Sequence, residues 1–467
     1  MDAQIIRIFS RLGIAERRAV GDLARCPYFN RREEVVRLCD YLTEHAGRST
    51  HPAIEPERLF EVACPGLPYD AKRLRHLQSY LLALVRQYLL LEEAQHAPAQ
   101  QVPTLLRALR QRGMDDLFEK TWTGQFADME RQLLRDAQYH FQRYLLYQEQ
   151  LEHASKRERS AKLNFQPLPD ELTVYYVSEM LRHACLSSMH QAVAGQAYRM
   201  GLLEAILEAV KRDEMLQIPA IAVYYHAYQM LQHPEDNTAF EHLKTSLAEH
   251  HARFSVDEQR GLYLLAINGC IRRLNAGRNA YVQEALDLYR ATLQSGILLE
   301  NGILSGFNYK NIIRLAAALK EHSWAEQFLD QYRAHLHPRE RDNLYRYNRA
   351  FLYFQQQDYA HAMPLLQQVE LEDPLNNLDA RRMLLRSYYE LGEWQALESL
   401  IQSFAAFLRR QKNLGYHRTT NEKLLYFVRK LLEAQTQSKK VRQALLTELE
   451  ATPEVAERAW LLGKMKL

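Results

Sequence analysis

Cysteine is scarce in this sequence, and its five copies give no framework for a disulfide-bonded fold. They stand far apart, at Cys26, Cys39, Cys64, Cys185 and Cys270. An odd number of widely spaced cysteines predicts free thiols in a reducing compartment. No CxxC pair occurs, so the sequence gives no reason to expect a structural zinc site.

Long apolar runs are missing as well. No stretch approaches the ~20 consecutive apolar residues that a membrane-spanning helix needs. The N-terminus carries charges at Arg7, Arg11 and Glu16, and it lacks the uninterrupted apolar core of a signal peptide. We therefore expect a cytoplasmic protein that does not enter a membrane.

The motifs of the common enzyme classes are absent too. The sequence contains no GxxxxGK[ST] or GxGxxG loop, no GxSxG elbow, no kinase catalytic loop and no HExxH pair. The net charge of +3 over 467 residues gives no global reason to expect nucleic acid or an anionic membrane as a partner. We expect a protein that is not an enzyme and that needs no cofactor.

Three aromatic residues recur at an even spacing in the C-terminal half. Trp324, Tyr359 and Trp394 are 35 residues apart, and each follows a short polar break between two helical patterns. A helix–turn–helix unit of about 34 residues is the tetratricopeptide period. Glycine and proline are low, at 17 and 15 residues, which suits an all-helical chain. The sequence predicts an all-α fold, an irregular α-solenoid of tetratricopeptide-like helical hairpins with an N-terminal helical module.

One unit shows the repeat most clearly. Ala350, Tyr353, Tyr359, Ala362 and Pro374 resemble the small, aromatic, aromatic, small and proline positions of the tetratricopeptide signature. The residue before Tyr359 is an aspartate that can cap the second helix, and Pro374 is expected to end that helix. Such a unit cannot bury both faces alone, so it stacks on its neighbours.

Breaks in the helical patterns divide the chain into four stretches. They are 1–95, an N-terminal helical module; 96–165, a linker and a long helix from about Phe118 to Lys162 with an irregularity near Thr123-Gly124; 166–440, the tetratricopeptide-like α-solenoid; and 441–467, a C-terminal capping helix that opens at Thr452-Pro453.

Four local patterns together resemble a set of uncharacterised bacterial helical-repeat proteins that are frequent in Bacteroidetes genomes. The patterns are Cys26-Pro27-Tyr28-Phe29-Asn30, Pro65-Gly66-Leu67-Pro68-Tyr69-Asp70, Tyr175-Tyr176 with Ala184-Cys185, and Trp460-Leu461-Leu462-Gly463-Lys464. The resemblance implies a cytoplasmic helical protein of bacterial origin. It implies no activity, because the function of that family is unknown.

Aromatic and arginine side chains on the first helices of the repeats suggest a binding groove. Tyr347, Phe351, Arg382, Arg386 and Tyr389 have the register of the concave face, where a tetratricopeptide-like array holds a protein or peptide partner. The two arginines are one turn apart and could hold an acidic segment or a terminal carboxylate. The alternative is that these side chains pack between repeats. We expect a scaffold or adaptor with a protein or peptide partner.

Two other readings remain open. A nucleic-acid-associated factor could use the basic cluster of residues 409–430, although the near-neutral total charge favours a solvated helix pair there. Its cations and interleaved aromatics are Arg409, Arg410, Lys412, Tyr416, His417, Arg418, Lys423, Tyr426, Phe427, Arg429 and Lys430. A metal-binding protein or enzyme could use four histidines spaced by seven, with ordinary half-buried histidines as the alternative. The four are His183, His190, His226 and His233.

Overall fold

The described part of the chain is helical throughout. The structure, a computed structural model, describes residues 4–45, 55–157, 164–212, 214–369, 373–411, 414–434 and 439–466. These residues form 23 α-helices and no β-strand, so the predicted all-α class is confirmed. In chain order the helices are α1 (Gln4–Arg11), α2 (Ile14–Arg25), α3 (Glu33–His45), α4 (Pro56–Ala63), α5 (Ala71–His96), α6 (Pro98–Gln111), α7 (Asp115–Arg131), α8 (Ala137–Arg157), α9 (Pro167–Ala194), α10 (Leu203–Arg212), α11 (Pro219–Gln232), α12 (Asn237–His250), α13 (Val256–Asn275), α14 (Tyr281–Gln294), α15 (Gly306–Ala318), α16 (His322–Tyr332), α17 (Arg341–Gln355), α18 (Tyr359–Gln367), α19 (Pro374–Leu391), α20 (Trp394–Arg410), α21 (Tyr416–Ala434), α22 (Lys439–Ala451) and α23 (Arg458–Lys466). Within the described ranges, none of them has both the length and the apolarity to cross a bilayer.

The chain forms two compact units. The first runs through Leu133 and takes up Ala137–Tyr175, while the second holds Leu134–Asp136 and the chain from Tyr176 onward. In the first unit, α1 to α5 share one apolar core, and α6 to α8 share another around Leu106 and Phe118. Each core arises because apolar residues recur every three or four positions along these helices.

In the second unit, helices that follow one another in the chain pack as pairs. The pairs α11/α12, α13/α14, α15/α16, α17/α18 and α19/α20 are in contact. The first helices of successive pairs also meet, at α11/α13, α15/α17 and α17/α19. The last pairs share one core with α21 to α23, in which Phe404 and Leu461 are fully buried. The first helices therefore lie side by side over several pairs.

The turn inside each of three consecutive pairs has the same construction. Lys320, Gln357 and Gly392 take left-handed backbone conformations, with φ of 60°, 63° and 76°. The residue after each donates its N–H to the carbonyl five residues earlier, at 2.9 Å in all three turns. This is the Schellman closure of a helix C-terminus. The predicted cap by Asp358 is confirmed, since its Oδ1 accepts from the N–H of His361 at 3.2 Å.

We expect the substitution Gln357→Gly to stabilise the protein by roughly 0.5 kcal/mol. A non-glycine residue in the left-handed region costs about 1–2 kcal/mol, and the flexibility of glycine in the unfolded chain offsets part of the gain. The matched control is Gln355→Gly, at an exposed position in the last turn of α17. It should destabilise by roughly 0.5–1 kcal/mol, because glycine lowers helix propensity. Urea unfolding of both variants checks the two signs.

Three predicted helix boundaries are wrong: one within the long helix, one at Pro374 and one at the start of the C-terminal helix. The helix expected from Phe118 is two helices, because residues 132–136 leave the helical path and the Arg135 N–H bonds the carbonyl of Arg253 at 2.7 Å. Its predicted end, Lys162, lies outside the described residues. Pro374 opens α19 after the cap Asp373 and does not end α18.

The C-terminal helix also begins later than predicted. Thr452 closes α22 through a hydrogen bond from its Oγ1 to the Glu448 carbonyl at 2.7 Å, so it caps no new helix. The last helix starts at Arg458, after a turn in which Glu454 and Glu457 take left-handed conformations. Pro453 alone predicted a helix start at this point, but in the folded protein the segment forms a turn.

Candidate binding groove

Three first helices and one residue of the C-terminal segment enclose a groove of about 450 Å³ in the second unit. We call it the arginine groove. Its lining residues come from α15, α17, α19 and the turn before α23. They are Arg314, Ala317, Ala318, Tyr347, Phe351, Phe354, Gln355, Asp379, Arg382, Met383, Arg386 and Glu457. Four of the five residues predicted for partner binding are among them.

The lining follows the repeat register. Tyr347 and Arg382 are 35 residues apart, as are Phe351 and Arg386. Equivalent positions on stacked helices come to the same face, so these four side chains are brought together. Equivalent positions on α15 and α17 are 37 residues apart, because the left-handed residues of the turns that follow these helices, Lys320 and Gln357, are 37 residues apart. Arg314 is thus the equivalent of Phe351.

Asp379 joins two arginines at one end of the groove. Its Oδ2 accepts from Arg314 Nη2 at 2.5 Å, and its Oδ1 accepts from Arg382. The buried Tyr347 hydroxyl donates to the same carboxylate at 3.4 Å and accepts from Arg314 at 3.1 Å. Burial alone would raise the pKa of Asp379, but the guanidiniums of Arg382 and Arg314 outweigh it and hold the pKa below its usual value. Asp379 is therefore a charged part of the wall at neutral pH.

Glu457 joins the groove from the C-terminal segment. Its Oε2 accepts from Arg386 Nη1 at 2.8 Å, and its Oε1 lies 4.0 Å from Arg382 Nε. The Arg386 guanidinium also lies over the Phe354 ring, 4.6 Å from its centroid. An acidic residue of the chain itself therefore contacts the arginine pair that the sequence assigned to an acidic partner.

The groove holds more positive than negative charge. Three arginines line it against two carboxylates. The Nε atoms of Arg314 and Arg386 are buried and have no hydrogen-bond partner among the described residues. Phe351 and Met383 add apolar surface to the same lining. The groove can therefore accept a ligand that has an apolar part and one anionic group.

The fifth predicted residue, Tyr389, does not line the groove. Its ring packs edge-on against Trp394, at 5.6 Å between centroids, and against Trp460, at 5.2 Å. The neighbouring Glu390 holds α23 by accepting from Trp460 Nε1 and Lys464 Nζ, both at 2.7 Å. Tyr389 lies at the docking site of the C-terminal helix.

Sequence reasoning missed Arg314, Asp379 and Glu457. Arg314 could have been found by carrying the register back one pair through the 37-residue step. Asp379 stands one turn before Arg382, which is a usual spacing for an ion pair on a helix. Glu457 gives no such signal, because it reaches Arg386 across 71 residues of sequence.

Several side chains of the basic cluster of residues 409–430 have partners within the protein. Lys423 donates to the Pro453 carbonyl at 2.8 Å, and Lys430 pairs with Glu433 at 3.2 Å. Tyr426 donates to Glu448 at 2.9 Å, and Phe427 is buried in the core. Arg418 donates to the carbonyl of Gln411, and Lys412 lies outside the described residues. Of the aromatics that the nucleic-acid hypothesis needs as exposed stacking surfaces, Tyr416 and Tyr426 are exposed, and the hydroxyl of Tyr426 is already bonded to Glu448.

The four histidines each have a separate neighbour. His183 lies 3.5 Å from Glu179, His190 bonds Tyr198 at 2.7 Å, and His233 lies 3.9 Å from Glu235. Among the described residues, no three His, Cys, Asp or Glu side chains are placed to share a metal ion. The predicted convergence of His183, His190, His226 and His233 is absent there.

His226 instead faces another histidine, with ring centroids 5.3 Å from those of His242. Burial, and then the nearby His242, lower its pKa to about 4. The His226 ring is therefore a neutral imidazole at neutral pH.

A half-buried carboxylate cluster in the second unit was not foreseen from the sequence. The Tyr224 hydroxyl donates to Glu258 Oε1 at 2.9 Å. Burial raises the pKa of Glu258, the hydrogen bond from Tyr224 and the charge of Arg182 oppose this rise, and the charges of Asp136 and Glu179 add to it, so that the pKa is about 7. Ser255 caps α13 by accepting from the Glu258 N–H at 3.4 Å, while the Glu258 side chain accepts from Tyr224.

Comparison of the chain with protein-family models, with curated proteins and with solved structures finds no match in any of the three.

Proposed function

We propose that this chain is a tetratricopeptide-like α-solenoid and that it acts as a non-enzymatic scaffold or adaptor, which binds an acidic segment of a protein partner in the arginine groove. The solenoid reading is supported by the paired helices, the contacts between successive first helices and the three equivalent turns. A repeat of this kind explains why residues that are 35 apart in the sequence line the same wall of the arginine groove.

Recognition in this proposal rests on a preformed surface. Phe351 and Met383 contact an apolar side chain of the partner, and a partner carboxylate takes hydrogen bonds from Arg314 and Arg386. The arginines are already oriented by Asp379 and Glu457, so little side-chain freedom is lost on binding.

The observation that carries the proposal is the charge imbalance of the groove. Buried guanidinium N–H groups without acceptors are costly, and here two of them border a groove that has a surplus cation. An incoming carboxylate would satisfy both the donors and the charge. The same chemistry fits an Asp or Glu side chain and a free C-terminal carboxylate.

The first experiment is affinity purification of the protein from its own host, with mass spectrometry of what accompanies it. We expect a recurrent stoichiometric protein whose recovery falls with Phe351→Ala, a change that leaves every ion pair of the groove in place. Lys423→Gln, in the basic cluster, is the matched control and should leave recovery unchanged. Recovery that survives Phe351→Ala, or a preparation that carries only nucleic acid, would show the groove assignment to be wrong.

A further inference from the structure

Arg17, on α2 in the first unit, is a largely buried cation for which the described residues supply no hydrogen-bond or ion-pair partner. The residue is only 8% exposed. Its Nε is shielded from solvent and has no hydrogen-bond acceptor, and no described carboxylate lies within 4.0 Å of its guanidinium. Burying part of a guanidinium without a hydrogen-bond acceptor costs free energy.

A second buried arginine in the described chain shows the ordinary solution. Arg273 is 1% exposed, and its guanidinium donates to the carbonyls of Gly269 and Asp236 at 3.3 and 3.0 Å. Backbone oxygens therefore accept from the Nη groups of Arg273, while its Nε, like that of Arg17, has no partner among the described residues. Arg17 has no equivalent set, although α2 packs on both α3 and α5.

Arg17 lines a groove of about 810 Å³ between α2 and α3. The other charged residues that face this groove are Arg18, Asp22, Arg25, Asp40 and Glu44. Arg25 is already paired with Asp40 at 2.5 Å and with Asp22 at 3.6 Å. Arg17 is thus the buried donor left for a ligand.

We propose that Arg17 is the anchor of a binding site for a small ligand that carries one oxyanion group, a carboxylate or a phosphate. A guanidinium presents paired N–H donors that match two oxygens of either group. The three carboxylates that face the groove would repel a polyanion such as nucleic acid, so the site takes a compact ligand with a single anionic group. This site lies in the first unit and does not depend on the arginine groove.

The test uses the full-length protein and two probes, inorganic phosphate and butyrate, against chloride at equal ionic strength. We expect one of the two probes to raise the midpoint of thermal unfolding, and the identity of that probe distinguishes a phosphate from a carboxylate ligand. The variant Arg17→Met, which keeps the length of the aliphatic stem, should lose this response. Arg18→Met, at an exposed position on the same groove, should keep it.

A second variant keeps the test decisive if Arg17→Met does not fold. Arg17→Lys keeps the charge and loses the planar fork, so the apparent dissociation constant for the active probe should rise at least about tenfold. The proposal is overturned if neither probe raises the midpoint of the natural protein. It is equally overturned if Arg17→Met, or Arg17→Lys where the methionine variant does not fold, responds as the natural protein does.

Discussion

Replacing Glu457 with glutamine should strengthen partner binding in the arginine groove by about tenfold. In the free protein the Glu457 carboxylate accepts from Arg386 at 2.8 Å and so occupies a donor that an acidic partner would use. A hydrogen bond to a charged group contributes about 1.5–3 kcal/mol, and about 1.4 kcal/mol corresponds to a factor of ten in affinity. Glutamine keeps the shape of the side chain and removes the competing charge. Titration calorimetry with the purified partner measures the change.

The opposite substitution should act in the opposite direction. Arg386→Gln removes a donor that the partner needs and leaves Glu457 with only a distant contact to Arg382, at 4.0 Å. We expect binding to weaken at least about tenfold. Calorimetry should show the loss while circular dichroism shows the helix content unchanged.

A matched control separates charge competition from loosening of the C-terminal helix. Glu390→Gln weakens the attachment of α23, since Glu390 accepts from Trp460 and Lys464, yet Glu390 does not line the groove. It should leave the affinity unchanged within about twofold. Equal strengthening by Glu390→Gln and Glu457→Gln would mean that release of α23, and not the charge of Glu457, controls access. A weaker complex with Glu457→Gln would contradict the acidic-partner proposal.

The local features of the fold could be predicted from the sequence. The positions of Trp324, Tyr359 and Trp394 follow a helix-turn-helix period, and each lies within the first turn of a second helix in the structure. Once that period is known, the 35-residue offset brings Tyr347 to Arg382 and Phe351 to Arg386. These are consequences of helix geometry, which is short-range and repeats.

The pairings of the site could not be predicted in the same way. The groove charges depend on which carboxylate reaches which guanidinium, and Glu457 reaches Arg386 from the far end of the chain. The turn before α23 that presents Glu457 was predicted to be helix, because Pro453 in isolation favours a first turn. A sequence pattern describes the face of one helix, whereas ion pairs between distant segments depend on how the whole second unit packs.

The buried Arg17 shows the same limit in the first unit. Its position on α2 agrees with the helical pattern, but nothing in the pattern distinguishes it from the exposed Arg18 beside it. Only the packing of α2 on α3 and α5 shows that one of two adjacent arginines is buried. Burial without a partner is a property of the folded chain.

We expect Glu258→Gln to raise the free energy of unfolding by about 2 kcal/mol at pH 8. Burial, with Asp136 and Glu179 nearby, raises the pKa of Glu258 to about 7 from a usual 4.5. The folded state therefore holds a proton that the unfolded state releases between these pH values, so stability is full below about 4.5 and is lost as the pH rises through about 7. Glutamine stays neutral and can still accept the hydrogen bond from Tyr224, so it avoids that loss.

The gain from Glu258→Gln should accordingly depend on pH in one direction. It should be about 2 kcal/mol at pH 8, shrink as the pH falls through 7, and vanish below about 4.5. Urea unfolding of the natural protein and the variant across this range measures the difference. Glu398→Gln, at an exposed position on α20, is the control and should change stability by less than about 0.5 kcal/mol at every pH. A gain that is equal at pH 4.5 and pH 8 would show that Glu258 titrates normally in the folded protein, and that packing of the amide, not the raised pKa, causes the stabilisation.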